Sequence, residues 1–353
     1  MTGPGPDNPK RICLIKPSAL GDVVTAIPVL RALRRRFPQA HIAWLVRDIY
    51  ARLLAGQVGL DETITYDRRQ LGRFFLPGSG MGHVRNLRRR LREGRFDWAI
   101  DLQGLARSGY FTKWTGAALR AGFADARELA PRHYSFKVQA PRSLHTIDRN
   151  IAVAEALGCP AGPEDLRLDV SEAGRKQADG LLDSFSLRYG QYVVLAVPTT
   201  WQTKMYPERY WNRLAAGLSE SYPLLITGTR SDVDLCGRIA AAAGPAVDSV
   251  AGQTGMEGFV ALLASAAGVV CCDSAAKFIA QAVRTPAVCL IGPTDAARTG
   301  LWGRSTSPAA NLVSPVCCQG CLKKHCRHIT CMQVISPDDA ISASLAAFQA
   351  RSR

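Results

Sequence analysis

Four short polar stretches in this 353-residue chain hold side chains that could bind anions or move protons. Lys16-Pro17-Ser18-Ala19-Leu20-Gly21-Asp22 joins an ammonium, a hydroxyl and a carboxylate around a glycine that lets backbone approach a ligand closely. Asp22 admits two readings. As an N-cap it would accept a hydrogen bond from the free N–H groups that open a helix. As a functional group, kept ionised by the same helix end, it could take a proton from an attacking hydroxyl, although a depressed pKa weakens a base. Pro198-Thr199-Thr200-Trp201-Gln202-Thr203-Lys204 offers hydroxyls (Thr199, Thr200) and an ammonium (Lys204) of the kind that hold a diphosphate, or else an ordinary surface loop. Asp273-Ser274-Ala275-Ala276-Lys277 places small residues at a helix start, where open N–H groups receive an anion, and Lys277 adds charge. Ile291-Gly292-Pro293-Thr294-Asp295 is a fourth loop of this type.

All four follow apolar runs, which is what must position them. The chain opens with a strand over 12–15, then the first polar loop, a helix from Val23 to Phe37 stopped by Pro38, and a second strand over 41–46. A strand ending in a polar loop recurs over 96–104, after an Arg-rich helix. From Tyr192 the rhythm restarts, with strands over 192–197, 223–228, 268–273 and 286–292 separated by helical patterns. Alternating strands and helices predict an α/β fold with two parallel, Rossmann-like sheets facing across a cleft. In such sheets ligands sit beyond the carboxyl ends of the strands, where these four loops fall. The polar segment 160–188 reads as the junction. The expected division is a tail over 1–10, an N-terminal domain over 11–165, a C-terminal domain over 186–335, and a terminal helix over 336–353 packing back on the N-terminal domain.

Eleven cysteines are present. Cys13, Cys159, Cys236, Cys271, Cys272 and Cys289 are scattered, several in apolar runs, and read as buried thiols. Cys318, Cys321, Cys326 and Cys331 follow a C-x2-C-x4-C-x4-C spacing, with Cys317, His325 and His328 nearby. Three readings stay open for this group: a structural zinc site, reduced packed thiols, or redox pairing. In each, the segment is structural and not catalytic.

The chain carries 44 Lys and Arg against 29 Asp and Glu, a net charge of +15, which favours anionic partners. Arg31, Arg34, Arg35 and Arg36 crowd one helix; Arg85, Arg88, Arg89, Arg90, Arg92 and Arg95 crowd another. These are either solvated faces or a surface for an anionic acceptor and membrane. No aromatic-interleaved basic motif supports nucleic-acid binding. G-x-x-x-x-G-K-[ST] is absent and no G-x-G-x-x-G follows a strand, which disfavours a P-loop NTPase or a dinucleotide dehydrogenase. The opening residues lack an apolar signal region and no run of about 18 apolar residues occurs, so a cytoplasmic protein is expected.

The stretches KPSALGDVVTAIPVLRAL, DLQGLARS (101–108), PTTWQTKMYP, DSAAKFIAQAV and PAVCLIGPTDAARTG resemble glycosyltransferase family 9, the heptosyltransferases, over residues 11–340. The resemblance implies a GT-B fold, an ADP-heptose-type donor bound by the C-terminal domain, a lipid-anchored acceptor bound by the N-terminal one, and inversion without a required metal or cofactor. Carried over by position, Asp22 matches the catalytic base. Thr199, Thr200 and Lys204 match donor-phosphate contacts, and Asp273 and Ser274 open the nucleotide-sugar loop that continues through Ala275 and Lys277. Asp232 falls near the acidic residue at the ribose or base. Lys16, Ser18, Gly21, Gln103 and Arg107 are the expected acceptor contacts. The partners implied are a nucleotide-sugar donor, an anionic lipopolysaccharide-core glycolipid and the cytoplasmic face of the inner membrane.

Two positions depart from the family's D-[ST]-G-x-x-H loop: Ala275 stands for the glycine and Phe278 for the histidine. Phenylalanine donates no hydrogen bond, and Lys277 could supply charge from the neighbouring position. A non-catalytic nucleotide-sugar-binding protein is the alternative that this departure raises.

Overall fold

The computed structural model describes residues 8–72 and 80–350. The chain forms two compact units that divide between Asp165 and Leu166. In the first, strands β1 (Arg11–Ile15), β2 (His41–Arg47), β3 (Glu62–Tyr66), β4 (Trp98–Asp101), β5 (Leu119–Phe123) and β6 (Phe136–Val138) make one sheet in the order β3-β2-β1-β4-β5-β6, every pair parallel. In the second, β7 (Val193–Ala196), β8 (Leu224–Thr227), β9 (Val247–Ser249), β10 (Gly268–Cys272), β11 (Ala287–Ile291) and β12 (Ala309–Val313) run β12-β11-β10-β7-β8-β9, again all parallel. Central strands β7 and β10, and β1 beyond Arg11, are apolar because helices cover both faces.

The strand order reverses between β1 and β4 in the first sheet and between β7 and β10 in the second. At these points the flanking helices leave to opposite faces and open a crevice at the strands' carboxyl ends. The loops after β1, β4, β7 and β10 therefore line the two crevices.

Five strands lie outside the sequence expectation: β3, β5, β6, β9 and β12. Four of these are sheet edges, short or half-exposed, and β12 alternates exposed and part-buried residues. An edge strand needs no continuous apolar run, which is the signal the others carry. The first helix also differs. It starts at Leu20, stops at Val24, and resumes as Ile27–Arg36. Pro28 has no N–H for a continuous ladder but fits the first turn of a new helix. The junction segment 160–188 holds a helix, Glu172–Ser184, that packs on the helix Met256–Ser265 in the second unit.

The terminal helix Pro337–Gln349 packs on elements of the second unit. Its buried residues Ala340, Ala347 and Phe348 belong to the core of the second unit, with Val193, Leu218 and Val270. Gly268 makes the seat: a Cβ there would lie 2.1 Å from the Phe348 ring. Among the described residues, no helix is long and apolar enough to cross a membrane.

The two arginine clusters separate. Arg34 donates to the carbonyls of Pro38 (2.7 Å) and Ala40 (2.8 Å) and to Asp61, and Arg35 grips buried Asp165 with both Nη atoms (2.6 and 3.0 Å). These two arginines hold the first unit together. The helix Gly80–Glu93 is different: Leu87 and Leu91 enter the core beside Phe96 and Phe111, while Arg85, Arg88, Arg89 and Arg92 face solvent.

Candidate active site

In the first unit the loop after β1 is tied to the loop after β4 across the reversal point. Lys16, almost fully buried, donates through Nζ to the Leu102 carbonyl (2.5 Å). The Ser18 N–H donates to Gln103 Oε1 (3.2 Å). Burial pulls Lys16 below its ordinary pKa, opposed by the nearby Asp22 and Asp101 carboxylates. The expected residues Lys16, Ser18 and Gln103 are thus brought together. Gly21 lies in the first helical turn, and exposed Arg107 hydrogen-bonds Tyr66.

Asp22 is not the N-cap. Ala19 holds that position, and Asp22 sits three residues on, with Oδ2 accepting from the Ala19 N–H (2.9 Å). This bond occupies one oxygen and leaves the half-exposed carboxylate at the mouth of the crevice. Capping and acceptance of a proton are therefore compatible in one group.

Asp101, absent from the sequence reading as a site residue, organises the β4 loop. It is the last residue of β4 and fully buried. Oδ1 accepts from the N–H groups of Gln103 (2.8 Å) and Gly104 (3.1 Å), and Oδ2 accepts from Tyr134 Oη (2.6 Å). Burial pushes its pKa up against these hydrogen bonds. An acidic residue ending an otherwise apolar strand was the available signal.

In the second unit the loops after β7, β10 and β11 converge on one carboxylate. Asp273 Oδ2 receives Lys204 Nζ (2.7 Å) and Thr294 Oγ1 (2.6 Å), and Oδ1 receives Lys277 Nζ. Burial raises the Asp273 pKa, but the two ammonium groups outweigh it and hold the carboxyl down to about 2. Lys277 is itself buried; desolvation lowers its pKa, while Asp273 raises it further, so the net shift is upward. Two cations around one anion leave a net positive charge at the mouth of the crevice, and Lys204 retains 15% exposure. Ser274 caps the helix Ala275–Ala282, accepting from the Ala276 N–H (3.4 Å). Lys277 does not point to solvent, as an exposed phosphate contact would, and Phe278 is buried beside it.

The remaining donor candidates lie on the same sheet edge in other roles. Thr199 Oγ1 donates to the Trp201 carbonyl (2.8 Å), and Thr200 is exposed. Asp232 ends a turn after β8 and accepts from the Thr229 N–H (2.8 Å). Thr294 was seen only as part of a polar loop; its bond to Asp273 joins residues 21 apart and has no local pattern.

Of the three readings of the cysteine group, the zinc site gains no support. Among the described residues no three His, Cys, Asp or Glu side chains gather as metal ligands. Cys317, Cys318, Cys321 and Cys326 are exposed, while Cys331 lies in the short helix Thr330–Gln333 and is half-buried against Gly292. The six scattered cysteines are buried and unpaired, as expected. Nor is the 317–331 segment remote from the site, since Thr203 and Thr294 both hydrogen-bond to it.

With this geometry in place, the similarities to known proteins are specific. Residues 84–331 match the family model for glycosyltransferase family 9 (heptosyltransferase). The lipopolysaccharide heptosyltransferase 1 of Pseudomonas aeruginosa is 31% identical over 327 residues, covering 90% of this chain and 88% of that protein. The crystal structure of a family 9 glycosyl transferase from Veillonella parvula superimposes with a TM-score of 0.82 at 20% identity, covering 96% of this chain and 97% of the other. An Escherichia coli heptosyltransferase in complex with ADP gives 0.76 at 21% identity, covering 94% and 98%. The fold is GT-B. The chain belongs to glycosyltransferase family 9, the heptosyltransferase family, and is a glycosyltransferase.

Proposed function

We propose that this enzyme transfers a heptose from ADP-heptose to a lipopolysaccharide-core acceptor, inverting the anomeric centre without a required metal. The observation that carries the reading is the cluster of Lys204, Lys277 and Thr294 around Asp273 at the reversal point of the second sheet. Its excess positive charge suits a diphosphate, and the Pseudomonas and Escherichia coli relatives are named for heptose transfer and, in one case, bound to ADP.

In this reading Lys204, Thr199 and Thr200 hold the donor phosphates with the helix that starts at Ala275, and Asp232 takes the ribose. The acceptor is positioned by Lys16, Ser18, Gly21, Gln103 and Arg107. Asp22 accepts the proton of the acceptor hydroxyl as its oxygen attacks the anomeric carbon. The bond from that carbon to the phosphate oxygen breaks, with its electron pair leaving on ADP. Lys204 stabilises the charge that grows there, supplying what a divalent cation supplies elsewhere. Single in-line displacement inverts the centre. The solvent-facing arginines of Gly80–Glu93 support a peripheral position on the anionic cytoplasmic face of the inner membrane.

Incubation with ADP-heptose and a detergent-solubilised inner-core acceptor, with a chelator present, tests this. ADP release matched by a heptosylated product of inverted configuration is the expected result. Buried Phe278, at the family's histidine position, favours the alternative of a binder without transfer. Tight ADP-heptose binding with no product would establish that alternative and overturn the first.

A further inference from the structure

The segment from Cys317 to Ile329 has no place in the mechanism above, yet it lies on the loops that build the donor site. Thr203 Oγ1 donates to the Lys323 carbonyl (2.7 Å), the Leu322 N–H donates to the Pro293 carbonyl (2.8 Å), and Gln319 Nε2 donates to the Thr294 carbonyl (2.6 Å). Thr203 is the neighbour of Lys204, and Thr294 is a direct partner of Asp273. Lys324 Nζ stands 5.1 Å from the centre of the Trp201 ring, and Lys204 Nζ stands 4.4 Å from the centre of that same ring.

The charge on this segment is one-sided. Lys323, Lys324, His325, Arg327 and His328 fall within six residues, and no acidic residue occurs from Cys317 to Ser336. Both ends of the basic stretch are fixed in a left-handed backbone conformation, Leu322 at φ 56° and Ile329 at φ 40°. That conformation is uncommon for any residue but glycine and rarest for a β-branched one such as Ile329. Lys204 and Lys277 share the Asp273 carboxylate, and Lys324 stands over the same Trp201 ring as Lys204, while the other nearby acid, Asp295, lies beside Gly320. Like charges so placed repel unless an anion sits among them, and a group bearing two or more negative charges balances the set.

We propose that Lys324 is a second diphosphate-binding lysine, and that the cysteine-rich segment covers the donor site and presents it. The ligand class is a nucleoside diphosphate, with Lys324 meeting the terminal phosphate while Lys204 holds the diphosphate from below. This rests on the donor reading given above. An exposed lysine making one charge-assisted contact is expected to contribute roughly tenfold in affinity.

Calorimetric titration of ADP and of AMP into wild type, Lys324→Ala and Lys204→Ala tests it, with thermal melting to confirm that each variant folds. Lys324→Ala is expected to weaken ADP roughly tenfold and AMP less than twofold. An ADP affinity within twofold of wild type in Lys324→Ala, alongside clear loss in Lys204→Ala, overturns the role of Lys324 and leaves the donor site standing. Failure of wild type to bind ADP overturns both. As an independent readout, saturating ADP should slow iodoacetamide modification of Cys326, followed by peptide mass spectrometry. A rate unchanged by ADP contradicts the cover.

Discussion

Asp273, just beyond β10, and Lys204, in the loop after β7, form a 2.7 Å ion pair across the point where the strand order of the second sheet reverses. Lys277 holds the other carboxylate oxygen from one helical turn away, so Asp273 is saturated before any ligand arrives. A lysine that needed Asp273 for itself would be lost to the ligand. In the proposed mechanism, Lys277 keeps the carboxylate paired when Lys204 turns to the donor phosphate.

This arrangement makes stability depend on acid in a defined window. The Asp273 carboxyl falls from an ordinary value of 3.8 to about 2, so its stabilising contribution is complete above pH 4 and lost as pH falls through the folded value. A shift of this size corresponds to ~2 kcal/mol. Asp273→Asn leaves Lys277 buried without a counter-charge, a change that typically costs about 3–5 kcal/mol. Urea denaturation of wild type and Asp273→Asn from pH 6 to pH 2 should show a gap that narrows below pH 4. A gap independent of pH would contradict the assignment.

Tyr134 fills the equivalent structural role in the first unit. Its hydroxyl is the donor to Asp101 Oδ2, and both groups are buried. Tyr134→Phe leaves that oxygen unsatisfied and is expected to cost about 1–3 kcal/mol in urea denaturation. An unchanged midpoint would mean that water or another donor reaches Asp101.

Much of this was legible before the structure, and the reason is local. Lys16, Ser18, Asp22, Lys204 and Asp273 each lie in the segment that follows an apolar strand, and a polar loop after a parallel strand faces the ligand edge by geometry alone. What could not be read are contacts between distant segments. The bonds of Thr294 to Asp273, of Tyr134 to Asp101 and of Thr203 to Lys323 join residues with no shared periodicity. The burial of Lys277 was equally hidden, because a lysine at a helix start reads as exposed until a carboxylate is placed beneath it. The cysteine spacing left metal binding, packed thiols and redox pairing open. The fold turns four of those five thiols to solvent.

The terminal helix is held to the second unit by a fit between Gly268 and Phe348. A methyl group on Gly268 would strike the ring, so Gly268→Ala should cost about 1–3 kcal/mol. Phe348→Ala alone should cost about 3–5 kcal/mol, and the double variant less than the sum, since the ring that clashes is gone. Strict additivity in thermal melts would show that the two residues do not share a contact.

The outward arginines of Gly80–Glu93 predict binding to anionic bilayers. Arg85 and Arg88 are exposed and have no acidic partner among the described residues. Arg85→Glu with Arg88→Glu should lower the fraction floating with phosphatidylglycerol vesicles at least tenfold, at about 1 kcal/mol per charge, and leave neutral vesicles unaffected. Equal flotation of both proteins would remove this helix from the membrane surface.

The role of Asp22 is the centre of the proposed mechanism, and its replacement is the most direct test. Asp22→Asn keeps an oxygen that can cap the Ala19 N–H but cannot take a proton. Single-turnover transfer from ADP-heptose should slow by about 10²–10⁴-fold, with ADP affinity measured by calorimetry unchanged. Transfer at the wild-type rate with the same ADP affinity would show that another group removes the proton, and would contradict the account.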